Sequence, residues 1–387
     1  MCISIPNLNL PSPGLILCHT IQVLYAFPVS PSAFLRLLKL VKVPFPKVQV
    51  SVLVDNYQQL SSSWTHLEAL PTGEGTDNTL SYGIFIKLDS GYGRAGVHPT
   101  ETHALQNMIE LARNLQGSGI AQFRGLYTHA GHSYAGSKPD DALWALAEEI
   151  KCALDALTYD SDGIQHDDAV TISIGASPTA LVLGNLLETS EEISSNISYA
   201  YLKQMLMQAK ELKRVEVEIH AGVYTILDLQ QIATNVISVP QTIGLDEIAL
   251  TILGEVASVY PRRSEALVNV GTLGIGREPG PGHSLENLWG LVSNWIEPQG
   301  CEDGLGESKL LEDGGWILKR LSQEHGILAW KQNVEDRLSL RIGQKVRIIP
   351  QHACIAGAGH GWYFVVDSDK PDGGNIVHDV WIRSRGW

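Results

Sequence analysis

The stretch Ile84–Thr128 decides the fold. It opens with IFIKLD (Ile84–Asp89), a β-branched apolar run, and passes through GYGRAG (Gly91–Gly96). A segment at Thr100–Leu115 follows, with apolar residues at three- and four-residue spacing, and a second short apolar run, FRGLYT (Phe123–Thr128), closes it. Strand, glycine turn, amphipathic helix and strand in that order read as a βαβ unit with parallel strands. The same alternation extends both ways from this unit. Strands are expected at Val23–Phe27, Val48–Asp55, Ala169–Ile174 and Val215–Ile219, and helices at Ser30–Val41 and Asp140–Leu157.

Six strands alternating with helices predict an α/β fold with a parallel sheet and helices outside it. A (β/α)8 TIM-type barrel needs eight such units. Residues 21–245 are therefore expected to form an incomplete barrel, about two units short. The deficit falls on residues 1–20, which are rich in Pro and Asn and show no βα unit. After about residue 245 the pattern changes. Ile248–Tyr260, Ala266–Gly276, Trp316–Leu321, Ile327–Trp330, Val346–Ile349 and Trp362–Val366 read as strands joined by turns. Residues 246–387 are thus expected to be an antiparallel, β-rich C-terminal domain. Ser61–Asn78 reads as a polar surface loop, Gly276–Gly282 as a loop, and Glu297–Gly315 as an acidic, glycine-rich excursion.

Composition narrows the function. The chain has 387 residues, 44% hydrophobic and 18% charged, with a formal net charge of −14. No Lys/Arg cluster interrupts that acidity, which disfavours a nucleic-acid or anionic-membrane partner. Five scattered cysteines do not read as a disulfide framework, so a reducing, cytoplasmic setting is expected. No apolar run is long enough to span a bilayer, and residues 1–20 make a poor signal peptide.

Chemistry-bearing residues gather at the carboxyl ends of the expected strands, where barrels of this kind place their sites. Arg94 follows the strand ending in Asp89; its guanidinium can meet a phenolate or carboxylate, or can be a surface residue on a glycine turn. GYGRAG is not a dinucleotide fingerprint, because no acidic residue closes a second strand about 20 residues on. Tyr127 and His129 fall on one face of the next strand by alternation. Gly175, Ser177 and Thr179 sit between a strand and an apolar helix, where backbone N–H groups make an anion site or an ordinary cap. Gly222 and Tyr224 end the following strand. In Pro350–Cys354 (PQHAC), read as extended, His352 and Cys354 share a face. An imidazole beside a thiolate suits a borderline-soft ion such as zinc, against the plainer reading of a packed His and a buried Cys.

Taken in order, YTHAGHSY (Tyr127–Tyr134), SIGASPT (Ser173–Thr179), EIHAGVY (Glu218–Tyr224), LSQEHGIL (Leu321–Leu328), PQHAC and YFVVD (Tyr363–Asp367) resemble the pyridoxal-phosphate-dependent D-serine dehydratases of the alanine-racemase-like fold. VLYAFPVSPS (Val23–Ser32) stands where the resemblance begins. It implies a lyase of D-amino acid metabolism that converts D-serine to pyruvate and ammonia with pyridoxal 5'-phosphate and zinc, as a homodimer. His352 and Cys354 resemble its zinc ligands. Arg94 resembles the residue near the cofactor's phenolic oxygen, and Tyr127 and His129 resemble pocket residues. Gly175, Ser177, Thr179, Gly222 and Tyr224 resemble the phosphate cradle. The family's Schiff-base lysine lies in a segment reading like PHxKTHKT, and this sequence has none. The chain as written is therefore expected to be inactive, the catalytic lysine being absent. The alternatives are a D-threonine aldolase-like enzyme, in which an acidic residue usually replaces Cys354, and a non-catalytic pyridoxal-phosphate-binding pseudoenzyme.

Overall fold

The computed structural model describes residues 2–4, 20–41, 47–68, 82–160, 169–183, 196–236, 245–280, 288–293, 315–331, 339–371 and 373–383. The chain divides into two compact units. One comprises Met1–Ser133 and Asp140–Ala221; the other comprises Tyr134–Pro139 and Gly222–Trp387.

The first unit is built on a seven-stranded sheet in sequence order. Its strands are β1 (Cys2–Ser4), β2 (Thr20–Pro28), β3 (Lys47–Val54), β4 (Tyr82–Lys87), β5 (Gln122–Tyr127), β6 (Val170–Ile174) and β7 (Val215–Ile219). Strands β2 to β7 pair in parallel, while β1 joins β2 antiparallel. Among the described residues the sheet does not close, so the six parallel strands are an incomplete barrel. Helices α1 (Pro31–Val41), α2 (Tyr57–Glu68), α3 (Thr102–Gly117) and α4 (Pro139–Leu157) lie between strands, as do α5 (Ser177–Leu181) and α6 (Ile197–Glu211). Five consecutive buried residues in β4 show why its sequence is continuously apolar: both faces of a parallel strand are covered.

The expectation of a loop over Ser61–Asn78 fails in its first part, because α2 runs to Glu68; residues 69–78 lie outside the described residues. The helix starts on local chemistry. The Asn56 side chain accepts from the Gln58 N–H, and the Gln59 side chain accepts from the N–H groups of Asp55 and Asn56. Such reciprocal capping satisfies donors that the first turn leaves orphaned.

The second unit holds a closed antiparallel barrel. Its strands are β8 (Ile252–Tyr260), β9 (Glu265–Val268), β10 (Gly290–Ser293), β11 (Trp316–Leu321), β12 (Gly326–Trp330) and β13 (Lys345–Pro350), in the order β10-β11-β12-β9-β8-β13. Val256, Ala266, Val268, Leu318, Leu328 and Ile348 are fully buried inside it. A separate pair, β14 (Trp362–Val365) and β15 (Asp379–Ile382), stands beside it in the sequence. The unit takes in the chain from Gly222, upstream of the change in pattern near residue 245. Leu229, Ala233, Leu245 and Ile248 form one apolar cluster with Leu288, Leu291 and Ile349, which ties that segment to the barrel. The expected strand Ala266–Gly276 ends at Val268. Thr272–Ile275 forms a short helix, α8, which stops at Gly276 with φ of +83°. Glu297–Gly314 lies outside the described residues. No helix among the described residues is long and apolar enough to cross a membrane.

Candidate functional site

In the first unit the strand ends carry a cluster of ionisable groups. Lys87 ends β4 with only 6% of its surface exposed. Its ammonium group donates to the Leu88 carbonyl at 2.6 Å and lies 5.6 Å from the centre of the Tyr127 ring. Burial, only partly offset by Glu149, lowers its pKa to about 8. The following loop wraps the carboxylate of Asp89, which accepts from the N–H groups of Gly91 and Gly93. Burial works to raise the Asp89 carboxyl, yet those backbone donors hold it below its ordinary value. The glycines thus serve an acid from their own strand end rather than a dinucleotide. Positive φ at Gly91, Gly93 and Gly96 makes the turn possible. Arg94, exposed, stacks its guanidinium 5.2 Å from the Tyr92 ring, and its charge reaches Lys87 and His129.

Beside this loop three rings pack. Tyr127 and His220 stack with centroids 4.2 Å apart and planes 10° from parallel; His129 and His220 lie 6.0 Å apart at 12°. Loss of water around the rings lowers His129 to about 4 and His220 to about 3. Both imidazoles are neutral at neutral pH. The Ser173 hydroxyl donates to Glu218 at 2.8 Å and meets His220 Nδ1 at 3.1 Å, while buried His220 Nε2 has no hydrogen-bond partner. With the Ser173 proton spent on Glu218, its oxygen is left to accept the Nδ1 proton, and Nε2 keeps its lone pair.

His220 and Ser173 stand in the quoted motifs without a role, Lys87 stands only within IFIKLD, and Glu149 lies outside every motif. Glu149, on α4, is fully buried. Its Oε1 accepts from Thr128 Oγ1 at 2.9 Å and from the Gly175 N–H at 3.2 Å. Burial raises its pKa to about 7. Cys152, one turn further along α4, is driven up to about 12, also by burial, and is no ready nucleophile.

Gly175 occupies a place no other residue fits. Its φ is +133°, and a Cβ there would lie 2.4 Å from the His220 carbonyl oxygen. Ser177 and Thr179 are fully buried in α5. The Thr179 hydroxyl is committed to the helix cap, accepting from the Ala176 N–H at 2.7 Å and donating to the Ala176 carbonyl at 3.0 Å. The structure thus brings Arg94, Tyr127, His129 and Gly175 into one electrostatic neighbourhood, with Ser177 and Thr179 in the helix that follows.

Gly222, Tyr224, His352 and Cys354 belong to the second unit. Gly222 has open space where a side chain would go, and Tyr224 is exposed. Contrary to the expectation from the sequence, Pro350–Cys354 is not extended throughout. The strand stops at Pro350, His352 is the N-cap, and Cys354 lies in the first turn of a helix, α9 (Ala353–Ala358). The cause is Asp228. Its Oδ1 caps α7 (Leu229–Ala233) through the Gln231 N–H at 3.1 Å, and its Oδ2 accepts from the Ala353 N–H at 2.9 Å. One buried carboxylate therefore starts both helices. His352 makes no side-chain capping bond, and Cys354 is a free, exposed thiol. No group of three or more potential metal ligands occurs among the described residues.

Both implied groups suit the side chains present. The neutral imidazoles, the stacked tyrosine, the cations of Lys87 and Arg94 and the unpartnered His220 Nε2 suit a flat, anionic heteroaromatic. An uncommitted imidazole and thiol two residues apart suit zinc as a two-ligand protein set, with other positions left to water or substrate.

Two family profiles match the chain: "Alanine racemase, N-terminal domain" over residues 37–191 and "Putative serine dehydratase domain" over residues 249–366. The D-serine dehydratase of Saccharomyces cerevisiae is 30% identical over 371 residues, covering 95% of this chain and 75% of that protein. Among solved structures, D-threo-3-hydroxyaspartate dehydratase from Delftia sp. HT23 superposes with a TM-score of 0.65 at 23% identity, covering 94% of this chain and 79% of that one. Solved forms of that enzyme include a cysteine-to-alanine variant, described as metal-free, and a histidine-to-alanine variant. An alanine-racemase-like protein from Idiomarina loihiensis superposes with a TM-score of 0.64 at 24% identity, covering 94% and 78%.

Proposed function

From a chain that belongs to the D-serine dehydratase family, we infer a protein of D-serine dehydration, the conversion of D-serine to pyruvate and ammonia, with pyridoxal phosphate in the first unit and zinc in the second. The observation that carries this reading is the 30% identity to a D-serine dehydratase across 95% of the chain. The neutral ring stack and the His352–Cys354 pair agree with it.

Pyridoxal phosphate, when bound, supplies an electron sink for the carbanion left by α-proton removal, and zinc supplies Lewis acidity at the poor leaving group, hydroxide. Tyr127, His129 and His220 offer flat faces on which a heteroaromatic ring can lie. Arg94, permanently charged, opposes an anionic oxygen. Gly175, Ser177 and Thr179 are the residues of the first unit we assign to the phosphate. His352 and Cys354 would hold zinc, the thiol giving up its proton as the metal enters. The Delftia dehydratase, whose cysteine-to-alanine variant is described as metal-free, supports that pairing by analogy. Cys354, where D-threonine aldolases usually carry an acid, favours dehydration over retro-aldol cleavage. We place the protein in the cytoplasm and expect a homodimer.

The sequence has no PHxKTHKT segment, so we further propose that this chain holds the cofactor without a covalent link and turns over no D-serine until such a segment is joined to it. The test compares the chain with a version carrying that segment, each given pyridoxal phosphate and zinc. Cofactor retention is measured by equilibrium dialysis and pyruvate through lactate dehydrogenase. Both forms should retain the cofactor, and only the longer one should form pyruvate. Absence of cofactor binding in both, or acetaldehyde and glycine from D-threonine without pyruvate from D-serine, would overturn the reading.

A further inference from the structure

Glu149 is a carboxylate on an apolar stripe. On α4 its buried neighbours are Leu146, Ala145, Ile150 and Ala153, and its own exposure is zero. Burying an ionisable group there costs free energy that nothing in helix packing recovers. What Glu149 touches gives the reason for its presence. Oε1 accepts from Thr128, just past the end of β5, and from the Gly175 N–H, just past the end of β6. The Ala130 backbone faces the same carboxylate and favours its charged form, as does the Lys87 cation at the end of β4. Cys152 faces it from its own helix. One side chain thus reaches three neighbouring strand ends.

The pinned segments are the ones that shape the ring stack. His129 directly follows Thr128, which Glu149 holds, and precedes Ala130, whose backbone faces the carboxylate. The Gly175 backbone faces the His129 and His220 rings and favours their charged forms, and its Cα sits so close to the His220 carbonyl that no side chain fits. Moving Thr128–Ala130 or Gly175 therefore moves the rings. The second carboxylate oxygen, Oε2, is buried with no hydrogen-bond partner. That is a poor arrangement for a permanently charged group and a natural one for a group that gains and loses a proton.

We propose that Glu149 is a positioning residue: its carboxylate locks the Thr128–Ala130 and Gly175 segments so that His129 and His220 stand ready for a phosphorylated heteroaromatic ligand, and its protonation releases them. Charge-assisted bonds from Thr128 and Gly175 hold while the group is ionised and weaken when it is neutral. Burial, which raises Glu149 to about 7, places that change in the neutral range. Only the identity of the ligand rests on the proposed function.

The test uses the full chain without ligand, followed by hydrogen–deuterium exchange at pH 6 and pH 8, with Glu149→Gln and Thr128→Val beside the wild type. At pH 8, peptides covering 128–135 and 173–180 should exchange about tenfold faster in Glu149→Gln than in wild type, while peptides from β3 and α3 match. In wild type, corrected for intrinsic exchange, those two peptides should lose protection between pH 8 and pH 6, and Glu149→Gln should show no such change. Thr128→Val removes a donor that favours the ionised form, so its step should move to higher pH. A parallel dialysis with pyridoxal phosphate should show weaker binding by Glu149→Gln at pH 8, and equal binding at pH 6. Unchanged local exchange in Glu149→Gln, or an unmoved step in Thr128→Val, would overturn the proposal. Should Glu149→Gln fail to fold, the Thr128→Val result decides. Wild type that shows the exchange step but binds no pyridoxal phosphate would leave the positioning role standing and remove the functional reading instead.

Discussion

The parallel sheet treats charge differently at its two ends. Where the strands begin, buried Asp160 accepts a two-point bond from Arg113, 3.1 Å from Nε and 2.6 Å from the Nη2 nitrogen, with Arg214 at 3.6 Å. Arg113 also stacks 4.8 Å from the Phe123 ring. Each charge there meets its opposite. Where the strands end, Lys87, Glu149, His129 and His220 are all driven by burial toward their neutral forms. Groups so displaced cost stability, and such displacement clusters at functional sites. The beginning of the sheet pairs its buried charges; the end, where we propose the ligand lies, leaves them displaced toward neutrality.

That contrast predicts opposite responses to removal of a charge. Arg113→Met should be the most damaging change, about 3–5 kcal/mol in urea unfolding, because it leaves buried Asp160 short of its main partner. A loss under about 1 kcal/mol would show that the ion pair is dispensable and would erase the contrast.

Glu149→Gln should act the other way. The folded pKa of about 7 lies above the ordinary 4.5, so the folded state binds the extra proton between those values. Stability therefore falls as pH rises from about 4.5 through about 7, and the neutral amide escapes that loss. At about 1.4 kcal/mol per pKa unit, the variant should gain up to about 3 kcal/mol on wild type on going from pH 4.5 to pH 8. The check is urea unfolding at the two pH values. A variant whose stability difference from wild type is the same at both would show that Glu149 bears no proton-linked cost.

Much of this was legible in the sequence. Strands β2 to β7 follow from their apolar runs, because a strand covered on both faces carries its own signal. The stripe on α4 also carried a signal that went unread: Glu149 falls among Leu146, Ile150 and Ala153, on the face that must be buried. Other features depend on distant residues. No local pattern in PQHAC announces a helix, because the group that starts it is Asp228, 125 positions earlier. Likewise His220 and Tyr127 become stacked partners only through the sheet, which places the ends of β5 and β7 on either side of β6.

Gly175→Ala probes the strand ends at a single backbone position. A methyl group there meets the His220 carbonyl oxygen at 2.4 Å, at a φ that L-residues avoid. The expected loss is about 1–3 kcal/mol in urea unfolding, with weakened pyridoxal phosphate retention. The matched change Gly222→Ala meets open space and should cost far less. Equal losses would show that the close approach of Gly175 to His220 matters little.

The smallest effect on stability belongs to Cys354→Ala. The thiol is exposed and sits in the first turn of a helix whose start is secured by Asp228 through the Ala353 N–H, not by Cys354 itself. Alanine is the best helix former, so unfolding free energy should stay within about 0.5 kcal/mol of wild type. Zinc retention should nonetheless be lost, because two protein ligands are few and the thiolate is the one that carries charge. Metal analysis after dialysis, beside urea unfolding of the metal-free protein, measures both. Full zinc with unchanged stability would remove Cys354 from the metal site. A large stability loss in the metal-free protein would show that the exposed thiol is structural.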